Sequence, residues 1–203
     1  ATALSRRPRQ ALLQARHRAP GGAIQARAGV VAARSVGEVY LTGEEIGRRV
    51  GELAAEIAGD YVDANPILVA PLKASLVFLT DLSRALEIPH ELDFLELAAY
   101  GSGGGIRLLK DLETQITDRD VLVIEDVVDT GLSLHFLVRT LRLRRPASLS
   151  AATLLDRPYR RLVDDLPIRY VGFTVPDELF VGYGFDLEER YRNLPDLHIL
   201  VTP

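Results

Sequence analysis

Apolar and polar positions along this chain switch repeatedly between two periods, and the switches mark an alternating order of strand and helix. Ile67 to Ala70 and Val121 to Ile124 are short continuous apolar runs with the length and β-branching of strands buried on both faces. Between such runs the spacing becomes helical. Thr42 and Glu45 stand at the separation of a capping box, and Ile46, Val50, Leu53, Ala54 and Ile57 follow along one helical face. Ser75 to Leu86 and Leu132 to Leu143 read as amphipathic helices, Glu91 to Leu97 as an alternating strand, and Leu149 to Leu155 as a further strand. Short strands are predicted at Tyr170 to Phe173, Leu179 to Gly182 and His198 to Val201. This order predicts an α/β fold: a parallel-sheet core with flanking helices, binding its ligands at the carboxyl ends of the strands.

The periodic pattern begins near Val39. Residues 1–37 carry seven arginines and no acid, with Pro8, Pro20 and the pair Gly21-Gly22, and show no sustained amphipathic period. They read as a disordered Arg-rich extension, a composition that organellar transit peptides share. Residues 38–203 form the expected single domain, large enough for a real core. Of the chain's 24 basic and 28 acidic residues, that body keeps 17 basic ones and all of the acids. Such an acidic body argues against a nucleic-acid partner, which needs a basic surface. Cysteine is absent, which removes disulfides, thiol nucleophiles and cysteine metal sites. No apolar run reaches the roughly 20 residues of a membrane helix, so no membrane partner is expected. Only two of the 24 basic residues are lysines, Lys73 and Lys110.

The most informative stretch is Val121 to Leu134, reading VLVIEDVVDTGLSL. A buried strand runs into the paired acids Glu125 and Asp126, and Asp129, Thr130, Gly131, Leu132 and Ser133 then open a helix. Unpaired amides and the positive end of the helix dipole at such a start make a phosphate site. Two acids just before it would repel a bare anion. They suit a ligand that carries hydroxyls beside its phosphate, because carboxylates accept hydrogen bonds from a ribose diol.

This arrangement resembles the 5-phosphoribosyl-1-pyrophosphate (PRPP) motif of the type I phosphoribosyltransferases, and its wording is similar to the hypoxanthine-guanine branch. The resemblance extends from about Val39 to Leu200. Pro71-Leu72-Lys73-Ala74 resembles the pyrophosphate loop, with Ala74 in place of the usual glycine. The family places a cis peptide there, between the positions of Leu72 and Lys73. Tyr100-Gly101-Ser102 resembles the start of the lid over the reacting centre, here short and glycine-rich. Arg157, in Leu154-Leu155-Asp156-Arg157-Pro158, stands where the family presents a lysine to the purine 6-oxo group. Leu179 corresponds to the usual stacking aromatic and Phe180 lies one position later. Asp186 and Arg192 complete the match, the first near the base edge and a Mg²⁺-bound water, the second on pyrophosphate.

The resemblance implies the type I phosphoribosyltransferase fold, with a small hood from terminal segments. It implies transfer of 5-phosphoribosyl from PRPP to N9 of hypoxanthine or guanine, with Asp129 as general base toward the N7 proton. Glu125 and Asp126 would hold the ribose diol, and Thr130 to Ser133 its 5-phosphate. Lys73, Ala74 and Arg192 would hold pyrophosphate, while Arg157, Leu179, Phe180 and Asp186 frame the base. The expected cofactor is Mg²⁺ arriving with PRPP, touched by Asp186, Glu125 and Asp126. A cytoplasmic homodimer or homotetramer is implied. The rival reading is a catalytically weak homologue with a nucleotide-binding or regulatory role.

Overall fold

Six strands build the central sheet of this computed structural model, which describes residues 35–100 and 105–201. In chain order these are β2 (Ile67–Leu72), β3 (Glu91–Tyr100), β4 (Gly105–Lys110), β5 (Asp120–Val128), β6 (Ser148–Asp156) and β7 (Ile168–Thr174). Their spatial order is β4-β3-β2-β5-β6-β7, parallel throughout except for the β3–β4 hairpin. Three helices pack on them: α1 (Gly43–Asp60), α2 (Ser75–Ala85) and α3 (Leu132–Arg142). Alternate side chains of a strand point to opposite faces, and the core divides accordingly. Leu68, Ala70, Leu122, Ile124 and Ala152 join the cluster under α1 and α2. Ile67, Val69, Val121, Val123 and Ala151 join the cluster under α3.

The course of the chain reverses between β2 and β5. From β2 the chain passes through α2 to β3 on one side, while β5 passes through α3 to β6 on the other. Such a reversal leaves a crevice at the carboxyl ends of the two central strands. Here the strands also separate. Their pairing ends at Val69 and Val123, although β2 stays paired to β3 as far as Leu72 and β5 to β6 as far as Val128. The segments predicted to hold pyrophosphate and ribose 5-phosphate are the two lips of that opening.

A second, three-stranded antiparallel sheet has the order β1-β9-β8, from β1 (Ser35–Leu41), β8 (Phe180–Val181) and β9 (Leu197–Val201). It is the expected hood of terminal segments. Phe180, Leu197 and the partly buried Tyr40, Leu41 and Ile199 pack onto the α1–α2 side of the core. The Thr42–Glu45 capping box forms as the sequence predicts, and Gly43 N also donates to Asp196 Oδ1 at 2.7 Å, fixing the start of α1 against the hood. β1 begins at Ser35, three residues inside the stretch whose composition suggested an extension. The lid residues Gly101 and Ser102 lie outside the described residues, and Tyr100 ends β3. Among the described residues no helix is long and apolar enough to cross a membrane.

Candidate active site

The peptide between Leu72 and Lys73 is cis, as the resemblance implies. Ala74 follows in the turn before α2, and its carbonyl lies against Gly184 of the hood. A β-carbon at Gly184 would stand 2.5 Å from that oxygen, and Gly184 has φ +96°. The close approach brings the Leu72–Ala74 turn and the Asp186–Arg192 turn together. Arg192 Nη1 donates to Gly184 O at 2.7 Å, and its Nη2 lies 2.6 Å from Asp186 Oδ1. Lys73 reaches into the same group through Glu189, at 3.1 Å.

On the opposite lip, Glu125 and Asp126 occupy adjacent positions of β5 and so meet different surroundings. Ser75 Oγ, at the start of α2, donates to Asp126 Oδ1 at 3.4 Å. Burial raises the pKa of Asp126 above the usual aspartate value, opposed by hydrogen bonds and the nearby Arg192 charge. Glu125 is 6% exposed, and its Oε1 has no hydrogen-bond partner. Burial first, and then the Asp126 charge, push its carboxyl well above the ordinary range. A buried carboxyl with an open acceptor is costly unless something donates to it. A sugar hydroxyl has the chemistry to do so.

Beyond β5 the chain turns through Asp129 and Thr130 into α3. Gly131 has φ +81°, and a β-carbon there would lie 2.7 Å from Leu166 Cδ1, so the turn requires glycine. Gly131 gives α3 no side-chain cap, and Thr130 Oγ1 reaches Leu132 N only at 3.4 Å. Leu132 and Ser133 are exposed on the first turn. Amides in such a turn are available to an anion.

This loop is tied to the turn after β6. Arg157 N donates to Val128 O at 3.1 Å, and Leu162 N to Thr130 O at 3.0 Å. The Asp129 carboxylate is 2.8 Å from Arg160 Nε and 3.7 Å from Arg157 Nη1. Arg161 Nη1 donates to the Asp129 carbonyl at 2.7 Å and pairs with Asp156. Arg157 is itself buried. Its Nη2 donates to the Glu178 carbonyl, and its guanidinium sits 5.6 Å from the centre of the Phe180 ring.

Phe180 does not face the opening as a base platform. It is 7% exposed, packs on Tyr40 with ring centres 5.0 Å apart, and supports Arg157 from below. Its neighbour Leu179 is 49% exposed. The alternation of an extended chain turns one inward and the other outward, so of the two only Leu179 is free to touch a ligand.

Sequence reasoning missed Ser75, Arg160, Arg161 and Glu189. The first opens a helix, the next two resemble ordinary surface charge after a proline, and the last stands among other acids and arginines. Proximity in the fold reveals them. Among the described residues no three His, Cys, Asp or Glu side chains converge as a cation cage. The buried, unpartnered Oε1 of Glu125 and the neighbouring Asp126 carboxylate have the chemistry to meet a hard cation that brings substrate oxygens with it. A groove of about 390 Å³ on α3, lined by His135, Phe136, Arg139, Thr140 and Leu143, shares no residue with this constellation.

The pattern of the phosphoribosyl transferase domain matches residues 37–186. A hypoxanthine-guanine phosphoribosyltransferase from Bacillus subtilis is 42% identical over 167 residues, covering 80% of this chain and 92% of that one. One from Mycobacterium avium is 45% identical over 166 residues, covering 77% and 81% respectively. In structure, the chain is similar to a hypoxanthine-guanine phosphoribosyltransferase from Bacillus anthracis, with a TM-score of 0.80 and 40% identity. The match covers 84% of this chain and 100% of that one.

Proposed function

We infer the chemistry from one premise: the chain belongs to the phosphoribosyl transferase family, in its hypoxanthine-guanine branch. It is an enzyme of purine salvage that moves the 5-phosphoribosyl group of PRPP to N9 of hypoxanthine or guanine, giving IMP or GMP and pyrophosphate. The observation that carries the assignment of residues is the parting of β2 and β5 after Val69 and Val123. It sets the cis Leu72–Lys73 loop opposite Glu125–Ser133, with the hood above.

The amides of Thr130 to Ser133 receive the 5-phosphate, and Glu125 and Asp126 accept hydrogen bonds from the ribose hydroxyls. Lys73 and Arg192 balance the charge that gathers on pyrophosphate as the glycosidic bond opens. No protein atom attacks; the work is positioning and electrostatic stabilisation of an oxocarbenium-like transition state. Asp129 accepts the N7 proton as N9 bonds to C1. To do so it must exchange its pairing with Arg160 for the base. Arg157 donates to the 6-oxo group, Leu179 covers one face of the ring, and Asp186 lies toward its edge. Asp186, Glu125 and Asp126 are the residues that would hold a Mg²⁺ arriving with PRPP, and the ion would supply positive charge to offset the diphosphate. The enzyme is proposed to work as a cytoplasmic homodimer or homotetramer, which light scattering of the purified protein tests.

The deciding experiment combines purified protein, Mg²⁺ and PRPP with each of hypoxanthine, guanine, xanthine and adenine. Nucleotide and pyrophosphate should appear in equal amounts with the 6-oxopurines and not with adenine. The second reading, a weak homologue that binds nucleotides, is favoured by one observation: Asp129 is engaged by Arg160 at 2.8 Å. Tight PRPP binding without turnover would establish it.

A further inference from the structure

The two cations assigned to pyrophosphate already share an anion of the protein's own. Lys73 Nζ and Arg192 Nη2 lie 3.1 Å and 3.5 Å from the same oxygen, Glu189 Oε2. Glu189 belongs to the turn between Asp186 and Arg192. Its backbone has φ +63°, and its amide donates to Asp186 Oδ2 at 2.8 Å. The bridge between Leu187 and Arg190 closes this turn. The carboxylate is thereby presented across the gap to a lysine 116 residues away in sequence. No part of the catalytic scheme above uses it.

We propose that Glu189 is a built-in competitor for the pyrophosphate subsite: its carboxylate balances Lys73 and Arg192 in the empty enzyme and is displaced by the diphosphate of PRPP. The proposal rests on the role given above to those two cations. The physics favours displacement. Lys73 and Glu189 are 61% and 65% exposed, and pairs so open to water hold weakly. A diphosphate brings several charges and many acceptor oxygens to the same two donors, against one charge and one shared oxygen from Glu189. The contact also works in reverse. As pyrophosphate loosens, the carboxylate re-enters and helps expel the product. Its cost is weaker substrate binding, and its gain is an empty site in which Lys73 is balanced by Glu189 while Arg192 is held by Asp186 as well.

Titration of the full chain with inorganic pyrophosphate and Mg²⁺, followed by calorimetry, tests this. Glu189→Gln keeps the size and removes the charge. It should tighten pyrophosphate about 2–5-fold at low ionic strength, the range expected for loss of one exposed ion pair. The gain should shrink at high salt. In a Lys73→Met background the same substitution should give a much smaller gain, because one of the shared cations is gone. Glu189→Asp, too short to keep both contacts, should tighten binding by a smaller factor, and it decides the matter if the glutamine variant does not fold. Unchanged or weaker binding in the decisive variant overturns the proposal. Failure of the underlying assignment looks different: Lys73→Met alone would then bind pyrophosphate as well as the unaltered chain.

Discussion

Arg157 Nη1 stands 3.7 Å from Asp129 Oδ2, so the proposed reader of the purine 6-oxo group faces the proposed acceptor of its N7 proton before any base is present. The same guanidinium donates to the Glu178 carbonyl and lies over Phe180. A planar fork can hold these contacts together, whereas an ammonium is a single point of charge.

Arg157→Lys should therefore keep the preference for 6-oxopurines while changing the ratios of kcat/KM among hypoxanthine, guanine and xanthine. A hydrogen bond lost or gained at an exocyclic oxygen contributes about 1–3 kcal/mol, enough for roughly a tenfold change in ratio. Steady-state kinetics with the three bases measure it. Constant ratios would mean that Arg157 serves Glu178 and Asp129 alone.

Asp129→Asn should leave PRPP affinity nearly intact and lower turnover by ~10²–10⁴-fold, the usual contribution of a general base. The amide keeps the shape but has no place for the N7 proton. Equilibrium binding of PRPP and single-turnover rates separate the two effects, and an undiminished rate would move the proton to another acceptor.

Glu125→Gln should stabilise the protein while impairing it. Burial and the Asp126 charge raise the Glu125 carboxyl well above its ordinary value of 4.5. The folded state then holds a proton that the unfolded chain gives up, so stability falls as the pH climbs from about 4.5 toward the folded value. Glutamine removes that loss. Its gain in Tm should be larger at pH 8 than at pH 5, with about 2–4 °C for each kcal/mol in a chain of this size. Equal gains at both pH values would show that the carboxyl is not the source.

Gly184→Ala should raise the KM for PRPP more than that for the base. Its β-carbon would stand 2.5 Å from the Ala74 carbonyl, backbone that has nowhere easy to go. Relief must come from moving the pyrophosphate loop or the carbonyl that holds Arg192. A non-glycine residue held in this backbone region costs about 1–3 kcal/mol, so a lower Tm should accompany the kinetic change.

Much of this was legible in the sequence, and the rest was hidden for identifiable reasons. Val121 to Ile124 announces a buried strand because four consecutive apolar residues have few other uses, and Thr42 with Glu45 announces a helix start because the cap is local. β1 gives no comparable signal: its seven residues SVGEVYL are mostly exposed or half-buried, and its partner β9 lies at the other end of the chain. β4 follows a glycine-rich stretch that masks its alternation. At the site, the motif order is what proposes Lys73, Asp129 and Arg192. It could not show that Arg160 pairs with Asp129, since in a chain whose basic residues are almost all arginine one more arginine after a proline reads as surface charge. The inward turn of Phe180 depends on the register of a two-residue strand, which no local pattern fixes.

The middle place of β9 in the hood has a consequence for biosynthesis. Among the described residues β1 and β8 are joined through β9, whose residues Leu197–Val201 are made after every strand of the central sheet. A growing chain on the ribosome can complete the central sheet, and with it the phosphate-binding lips, before the strand that joins the hood has emerged. The half proposed to grip PRPP is thus ready before the cover proposed for the base can lock. A stop codon ahead of Leu197 would release a chain with a finished cradle for the sugar and no roof for the purine.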